Sequence, residues 1–317
     1  IVAIIYSVLK IHGGFSGSLA TLAEVSDPAA SSVPGVFASF FGPDPAGLAG
    51  VILLTSLGTW GLPQMVQKFY SIKSEQSIHT GTIISTLFAI IVAGGCYFLG
   101  GFGRIFNVDV ASKGYDEIIP TMLSNLSPLI IGITLILVLS ASMSTLSSLV
   151  LTSSSTMTLD FIVPLSKKKD EKKTLIIIRA FILVFIIISA VIAVIQYKNK
   201  ITFIAQLMGL SWGALAGSFL APFLYSLYWK KVTKSACAVS FIWGSGIMIA
   251  NMLFGSHFPT IIQSPVNCGA FAMLASLVIV PVVSLITKKP ENKFVDDIFS
   301  CYDRKVTVPV SEVLEEK

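Results

Sequence analysis

The stretch Leu137-Val-Leu-Ser-Ala-Ser-Met-Ser-Thr-Leu-Ser-Ser-Leu-Val150 decides how the rest of the chain can be interpreted. It lies inside an apolar run from residue 127 to 163, and roughly 20 apolar residues already suffice for a helix to cross a bilayer. Nearly every second residue of the stretch nevertheless carries a hydroxyl group. Polar side chains at such a depth are costly unless they bind something or pack against another helix. The stretch therefore predicts a membrane-spanning helix with a specific polar role.

One face of this predicted helix is lined with small and hydroxyl-bearing residues. Ala141, Ser144, Thr145 and Ser148 follow i, i+3, i+4, i+7 spacing, and Ser147 lies beside them. A hard cation such as sodium prefers oxygen ligands, and hydroxyls together with backbone carbonyls freed at a helix break can replace its water shell. The same residue types also line helix–helix contacts in membranes, because they let two backbones approach. On the pattern alone both interpretations stand, and helix packing is the commoner.

The motif around this face resembles the sodium-site helix of the sodium/solute symporter family. Members of that family typically read Met-Ser-Thr-x-x-Ser, then a second hydroxyl cluster and an acidic residue. This chain has the first element at 143–148, the second at Ser153-Ser154, and the acidic residue at Asp160. Further stretches fall in the family's order, namely His12-Gly-Gly-Phe15, Gly61-Leu-Pro-Gln-Met-Val-Gln-Lys-Phe69, and Trp212-Gly213 followed by Pro222 and Tyr228-Trp-Lys-Lys-Val-Thr233. Because the resemblance runs along most of the chain, the ion-site interpretation overtakes the packing one.

The resemblance implies an all-α polytopic membrane protein with the inverted-repeat core known as the LeuT-type fold. This sequence would carry the second repeat and the helices after it. The implied activity is secondary active symport, in which sodium moves down its gradient and a small organic solute, such as an amino acid or a carboxylate, accompanies it. The sodium ligands carried over are the carbonyl of Ala141 and the hydroxyls of Ser144 and Thr145, with Ser147 and Ser148 matching a second sodium site of some members. Sodium is then the only metal, as the coupling ion, and no cofactor is expected.

Composition supports a membrane protein independently of the resemblance. The 317 residues are 54% hydrophobic and only 12% charged, with a mean hydropathy of +0.82, far more apolar than a soluble domain. A net charge of +5 could suggest a nucleic-acid partner, but the basic residues lie in short segments between apolar runs. The four cysteines show no metal or disulfide spacing, and no catalytic motif occurs. We therefore expect neither an enzyme nor a nucleic-acid binder, and no obligate protein partner is indicated.

Read in order, the chain forms one transmembrane domain over residues 1–317. Residues 1–9 are too short to span a bilayer and are interpreted as the remnant of a truncated helix. Residues 10–46 contain four prolines and are predicted to form an extracellular loop. Residues 288–317 form a predicted cytoplasmic tail that mixes charges with Phe294, Ile298 and Phe299. Between them, residues 48–287 hold seven predicted spans, at about 48–70, 79–103, 127–163, 174–197, 203–229, 235–256 and 265–287.

Basic residues between the spans predict the orientation. The connections on one side, together with the tail, hold 17 of the 22 Lys and Arg residues, and those on the other side hold 5. Because short basic segments stay inside the cell, the richer side and the C-terminus are predicted to be cytoplasmic. The third span is too long for one straight crossing and is expected to project or bend, with ends marked by Pro128 and Pro164.

The first full span carries Leu57-Gly-Thr-Trp-Gly-Leu-Pro63 near its centre. Proline removes a backbone donor and glycine tolerates unwinding, so we expect the helix to break there. Broken spans near mid-membrane depth are where transporters bind solutes, which makes Gly58, Thr59 and Trp60 candidate solute residues. A simple packing kink is the alternative. Sodium/proline symporters carry aromatics four and eight residues before the comparable proline, and this chain has Thr59 and Thr55 there, which favours a more polar solute.

Two other functions fit parts of the pattern. A transporter-like sensory or receptor domain would bind a solute without carrying it, and an output domain after the last span would indicate one. A channel would show rings of charged residues or a filter sequence. The residues after the last predicted span show no output domain and the spans show no such rings, so symport is the favoured prediction. The pattern Gly213-Ala-Leu-Ala-Gly217 predicts close helix packing without chemistry.

Overall fold

The computed structural model describes residues 13–26, 31, 33–69, 72, 74–106, 108, 114–166, 170–199 and 204–303. The fold is all-helical, as predicted, at 86% helix, with no strand element among these residues. Six helices are long and apolar enough to cross a membrane, at Gln76–Phe106, Pro128–Leu165, Glu171–Lys198, Gln206–Tyr228, Lys234–His257 and Pro265–Ile286. These match six of the seven predicted spans, so the chain is a multi-pass membrane protein. The predicted helix remnant at 1–9 and the basic segment 167–169 lie outside the described residues.

The chain divides into two compact units, which are described separately. The first combines residues up to Val25 with Phe98–Phe203, and the second combines Ser26–Tyr97 with Ile204–Lys317. In the first unit the helices are Gly14–Glu24, Ile118–Ser124, Pro128–Thr156, Val163–Leu165 and Glu171–Asn199, with 3-10 turns at Gly101–Phe106 and Tyr115–Glu117. The helical span Gln76–Phe106 passes from the second unit into the first, through Glu75–Ala89, a π turn at Ile90–Gly94, and Gly95–Gly100.

We call Pro128–Thr156 the hydroxyl helix. It starts with proline at its first position, where the missing N–H costs nothing, and Ser127 precedes it in extended conformation. It is continued by a π-helical segment, Met157–Ile162, and a last turn, Val163–Leu165, that contains Pro164. The predicted ends at Pro128 and Pro164 are confirmed. The 38 residues are longer than a ~30 Å apolar layer needs at ~1.5 Å per residue, and the π segment interrupts the regular geometry.

The second unit is built on three helices that we call the three-helix core: Ile204–Tyr228, Lys234–Phe254 and Pro265–Ile286. Thr233 caps the second of them by accepting the Ala236 N–H at 3.2 Å. Shorter elements of this unit include the 3-10 turns Val36–Ala38 and Gly255–His257, the helix Thr260–Gln263, and a terminal helix Asn292–Phe299 followed by the 3-10 turn Ser300–Asp303.

Small residues bring the three helices of the core together. A methyl group at Gly213 would lie 2.5 Å from the Gly269 Cα, and one at Gly217 would lie 3.0 Å from the Ala272 Cβ and 3.1 Å from the Gly244 Cα. The approach at Gly213 leaves no room for a side chain, and that at Gly217 is tight, so the predicted packing role of both glycines is confirmed. Trp212 packs half-buried against the neighbouring cluster around Leu54.

Side-chain hydrogen bonds tie each pair of helices in the core. Ser240 donates to the Ser218 carbonyl at 3.0 Å, Trp243 Nε1 donates to the Ala272 carbonyl at 3.0 Å, and the Tyr225 hydroxyl donates to the Leu277 carbonyl at 2.8 Å. Polar groups buried in a membrane protein need such partners. The four cysteines are free thiols, as expected.

The first predicted span, 48–70, is divided into three pieces, Pro45–Ser56, Gly58–Gly61 and Pro63–Phe69, which we call the broken span. The break lies where the glycines and Pro63 predicted it. One other expectation is wrong. The segment 10–46, predicted to be a loop, contains the helix Gly14–Glu24. Its prolines all follow that helix, and its Leu and Ala residues are good helix formers, so proline content averaged over the whole segment was misleading.

Candidate functional site

The hydroxyl helix presents the predicted sodium ligands on an exposed face. The α-helix is uninterrupted from Pro128 to Thr156, so the i, i+3, i+4, i+7 spacing of the sequence holds in space. Ala141, Ser144, Thr145, Ser147 and Ser148 are all exposed, as is the whole of 141–149. The four Ser and Thr hydroxyls among them form a row of neutral oxygen atoms.

The hydroxyls in this row differ in their hydrogen bonds. Ser147 donates to the Met143 carbonyl at 2.8 Å, and Ser148 donates to the Thr145 carbonyl at 3.2 Å. Within the described part of the chain, the hydroxyls of Ser144 and Thr145 donate to no protein group. A hydroxyl that donates its proton to the backbone keeps its lone pairs for another partner. All four oxygens can thus act as acceptors toward a cation.

The carbonyl of Ala141 lies in the regular part of the helix, and the break in this helix occurs further along, at Met157–Ile162. In an α-helix the carbonyl of residue 141 accepts the N–H four residues later. A carbonyl oxygen has a second lone pair, and only that one is open to an ion. The assignment of Ala141 as a ligand remains a prediction.

A second set of hydroxyls lies on a buried face of the same span. Ser154 and Thr158 are both 0% exposed, and Ser154 donates to the Val150 carbonyl at 2.7 Å. The Thr158 Oγ1 is buried and has no hydrogen-bond partner among the described residues. Sequence reasoning singled out Ser154 and Asp160 but missed Thr158. The i, i+4, i+8 series of Val150, Ser154 and Thr158 was the available signal.

The break in the other candidate region is confirmed, and it has a defined geometry. The turn Gly58–Gly61 is 3-10 helical: the Trp60 N–H donates to the Leu57 carbonyl at 3.1 Å, and the Leu62 N–H donates to the Thr59 carbonyl at 3.3 Å. Pro63 has no N–H, so it cannot pair with the Thr59 carbonyl as a helix would require. The tighter turn satisfies that carbonyl instead.

Two glycines seat the break on the three-helix core. A methyl group at Gly61 would lie 2.8 Å from both the Cβ and the N of Leu220, and one at Gly58 would lie 3.4 Å from the Ala216 Cβ. Both glycines are buried, and Leu62 is 0% exposed. The break is therefore pressed against the helix Ile204–Tyr228.

The three predicted solute residues have different environments. Gly58 lies in the packed contact, whereas Trp60 is 59% exposed. The Thr59 hydroxyl donates to the Ser56 carbonyl at 2.9 Å, a bond to its own backbone that leaves its oxygen free to accept. Thr55 makes the same kind of bond, to the Val51 carbonyl at 2.7 Å. The hydroxyl helix belongs to the first unit and the broken span to the second.

The predicted sodium ligands are all neutral groups. No group of three or more His, Cys, Asp or Glu among the described residues lies close enough to hold a metal ion. The salt bridge between Lys230 and Asp296 joins two exposed side chains. The chemistry that the hydroxyl helix offers is oxygen coordination without titratable groups.

Comparison with known proteins places the chain among membrane transporters. The family model described as the sodium:solute symporter family matches residues 1–244. The chain is 28% identical to the osmoregulated proline transporter OpuE of Bacillus subtilis over 251 residues, which are 76% of this chain and 49% of that protein. It is 29% identical to the sodium/proline symporter of Staphylococcus aureus, over 76% of this chain and 48% of the relative. It is 28% identical to the sodium/pantothenate symporter of Haemophilus influenzae, over 73% and 47%. The chain thus spans about half the length of these curated relatives.

Proposed function

The chain belongs to the sodium:solute symporter family, and from that premise we propose that it is part of a sodium-coupled symporter for a small organic solute. The family consists of transporters rather than enzymes. Sodium is the coupling ion, bound by the Ala141 carbonyl and the Ser144 and Thr145 hydroxyls, and no organic cofactor takes part. The inverted-repeat core of the LeuT type is part of the same proposal.

The observation that carries the proposal is the row of exposed hydroxyls on the hydroxyl helix. Within the described residues, the hydroxyls of Ser144 and Thr145 donate no hydrogen bond. Those of Ser147 and Ser148 donate to backbone carbonyls and keep their lone pairs. Such oxygens match the ligand preference of a hard cation. Ser147 and Ser148, one turn further along, are the ligands of a second sodium ion in this proposal.

The middle of each described span contains no carboxylate, which supports sodium over protons. A proton relay inside a membrane normally uses Asp, Glu or His, whose placement there costs roughly 2.5 to 3.5 kcal/mol for Asp. The hydroxyl helix contains none of these residues, and Asp160 follows in the π segment near the end of its span. Serine and threonine hydroxyls do not titrate near neutral pH, so sodium binding at this face is independent of pH around pH 7.

The energy available is sufficient for accumulation. One positive charge that crosses 100 mV supplies about 2.3 kcal/mol, and a tenfold ratio corresponds to about 1.4 kcal/mol. One sodium ion per neutral solute therefore supports roughly 50-fold accumulation from the potential alone.

The solute site is proposed at the break of the broken span. Gly58 lets the turn approach the three-helix core, and the side chains of Thr59 and Trp60 at the turn are half-buried and exposed, respectively. The relatives are named for proline and pantothenate, and an amino acid, a carboxylate or a similar small molecule fits the class. The two hydroxyls of Thr55 and Thr59 favour a polar solute over an apolar one.

The decisive experiment is uptake by the full-length protein in proteoliposomes. A panel of labelled amino acids and carboxylates is supplied with an inward sodium gradient, with potassium in place of sodium, and with an inward proton gradient alone. Symport predicts accumulation only with sodium. Solute binding without uptake would identify a sensory domain, and accumulation driven by protons alone would refute sodium coupling.

The proposal includes localisation in the cytoplasmic membrane with a cytoplasmic C-terminus. Single cysteines are introduced at Ser166 and at Asn199 in a background that lacks the native cysteines. A membrane-impermeant maleimide added to intact cells should label position 199 and leave 166 unlabelled, because the basic segment next to 166 stays inside. Labelling at 166 but not at 199 would invert the orientation.

A further inference from the structure

The residues after the last span form a short two-faced helix, Asn292–Phe299, that we call the tail helix. It begins six residues after the end of the span at Ile286 and continues into the 3-10 turn Ser300–Asp303. Helical spacing separates its residues into two faces. The apolar face carries Val295, Ile298, Phe299 and Tyr302, and the opposite face carries Lys293, Asp296 and Asp297.

The tail helix is tied to the end of another span. The Lys230 Nζ lies 2.8 Å from the Asp296 Oδ1 and 5.6 Å from the centre of the Phe299 ring. The Tyr302 hydroxyl donates to the Leu227 carbonyl at 2.8 Å. Leu227 is in the last turn of the span Gln206–Tyr228. Held between Ile286 and Leu227, the tail helix lies level with the ends of two membrane spans.

Part of the apolar face remains uncovered at that level. Ile298 is 53% exposed and Tyr302 is 58% exposed, whereas Val295 and Phe299 are half-buried. The ends of spans coincide with the headgroup region of a bilayer, where amphipathic helices lie in the plane and tyrosine is enriched. An apolar side chain and a tyrosine suit that region.

The surroundings of the tail helix are basic. Exposed lysines flank it at the ends of three membrane spans, namely Lys230, Lys231, Lys234, Lys288 and Lys289. Lys and Arg side chains near an anionic membrane surface are attracted to it. The lysines complement phospholipid headgroups of negative charge, and they would repel a basic protein partner.

We propose that the tail helix is an interfacial membrane helix. Its edge formed by Ile298 and Tyr302 is immersed in the headgroup region of the leaflet next to it. The flanking lysines other than Lys230, which pairs with Asp296, bind anionic phospholipid headgroups there. The Lys230–Asp296 salt bridge and the Tyr302–Leu227 hydrogen bond set the rotation of the helix, so that Asp297 and Lys293 face the aqueous side.

The test measures the depth of spin labels on the full-length protein in liposomes. The variants Ile298→Cys and Asp297→Cys are labelled in a background in which the two exposed cysteines, Cys96 and Cys301, are replaced by serine. Label counting confirms one label per protein. Collision rates with oxygen, which partitions into lipid, and with a water-soluble nickel chelate are compared at each position. Asp297→Cys is the matched control because it is the neighbouring residue on the charged face.

In liposomes that contain phosphatidylglycerol, the ratio of the oxygen collision rate to the nickel collision rate at position 298 should be at least three times the same ratio at position 297. Equal nickel access at both positions would overturn the proposal, because the helix would then lie in water. Shielding of 298 from both reagents would also overturn it, in favour of a protein contact. Two further measurements test the role of anionic headgroups: one in purely zwitterionic liposomes, and one on the double variant Lys288→Gln, Lys289→Gln. In both, the nickel collision rate at position 298 should rise. An unchanged rate would refute the role of anionic headgroups. The measurement does not depend on transport.

Discussion

The hydroxyl helix and the three-helix core contain the same small residue types, but these residues lie in different surroundings. In the core, Ser240 is 0% exposed and donates to a carbonyl of the neighbouring helix. On the hydroxyl helix, Ser144 and Thr145 are exposed and donate to nothing within the described residues. A row of serines and glycines therefore does not by itself distinguish packing from binding. The neighbouring helices decide, since a small residue with another backbone against it packs, and one with an open face can hold a ligand.

The largest effect is expected where two backbones touch in the core. Gly213→Ala places a methyl group 2.5 Å from the Gly269 Cα, and neither helix can move without disturbing the third. We expect a loss of about 3 kcal/mol of stability, the upper part of the range for overpacked cores. Unfolding of the purified protein in mixed micelles measures it.

Gly246→Ala is the control for that substitution. Gly246 lies in the helix Lys234–Phe254 of the same core, and a methyl group there meets no atom within 4 Å. We expect unchanged or slightly greater stability, because alanine is the better helix former. Equal losses at both positions would show that the core does not depend on close glycine contacts.

The next effect sharpens the binding side of the comparison. Ser144→Ala and Thr145→Ala each remove one proposed sodium ligand, and we expect the sodium concentration for half-maximal uptake to rise about tenfold, or ~1.4 kcal/mol. Ser142→Ala is the matched control, because Ser142 is exposed on the same helix but lies outside the predicted ligand face. An unchanged sodium dependence in both ligand variants would indicate that this face packs against another helix and does not bind sodium.

The break provides a comparison within one turn. Thr59→Ala and Trp60→Ala change side chains that are not pressed into the core, unlike Gly58 and Gly61. If the solute binds there, at least one variant should weaken apparent solute affinity about tenfold at unchanged protein level and unchanged sodium affinity. Competition uptake measures this, and wild-type solute affinity in both variants would move the solute site elsewhere.

The smallest effect tests a hydroxyl that is committed to packing. Ser240→Ala removes the donor to the Ser218 carbonyl at 3.0 Å, and we expect a loss of about 1 kcal/mol, the usual net value of one hydrogen bond. Sodium dependence should stay as in the wild type. A shift in sodium affinity would mean that the core and the ion site are coupled.

The spans were predictable because their evidence is local. Apolar runs of sufficient length located six spans, and Pro128 and Pro164 marked the ends of one within two residues. The break before Pro63 followed from the chemistry of proline and glycine. The helix Gly14–Glu24 was missed because prolines further along the segment dominated its interpretation. The π segment at Met157–Ile162 has no residue signature, since it depends on how the span packs.

For the candidate site, the sequence predicted only which residues share one face of a helix. The spacing of Ala141, Ser144 and Thr145 gave one helix face, and the structure keeps that face intact and exposed. Whether an ion binds depends on oxygens contributed by other helices, which spacing along one helix does not reveal. For Thr158, the spacing from Val150 and Ser154 indicates a shared face, but the burial of that face depends on what packs against it.

The π segment of the hydroxyl-bearing span has a consequence for how this sequence can vary. A π turn accommodates one more residue than the α-helical turn that it replaces. Loss of one residue within Met157–Ile162 would restore ordinary helix there and leave the residues on both sides of the segment in the same angular positions, because the π turn takes up the extra residue locally. The same loss within the regular helix Pro128–Thr156 would rotate everything after it by about 100°, one residue's share of a 3.6-residue turn. Deletion of one residue should therefore be tolerated better within these six positions than in the regular part of the span.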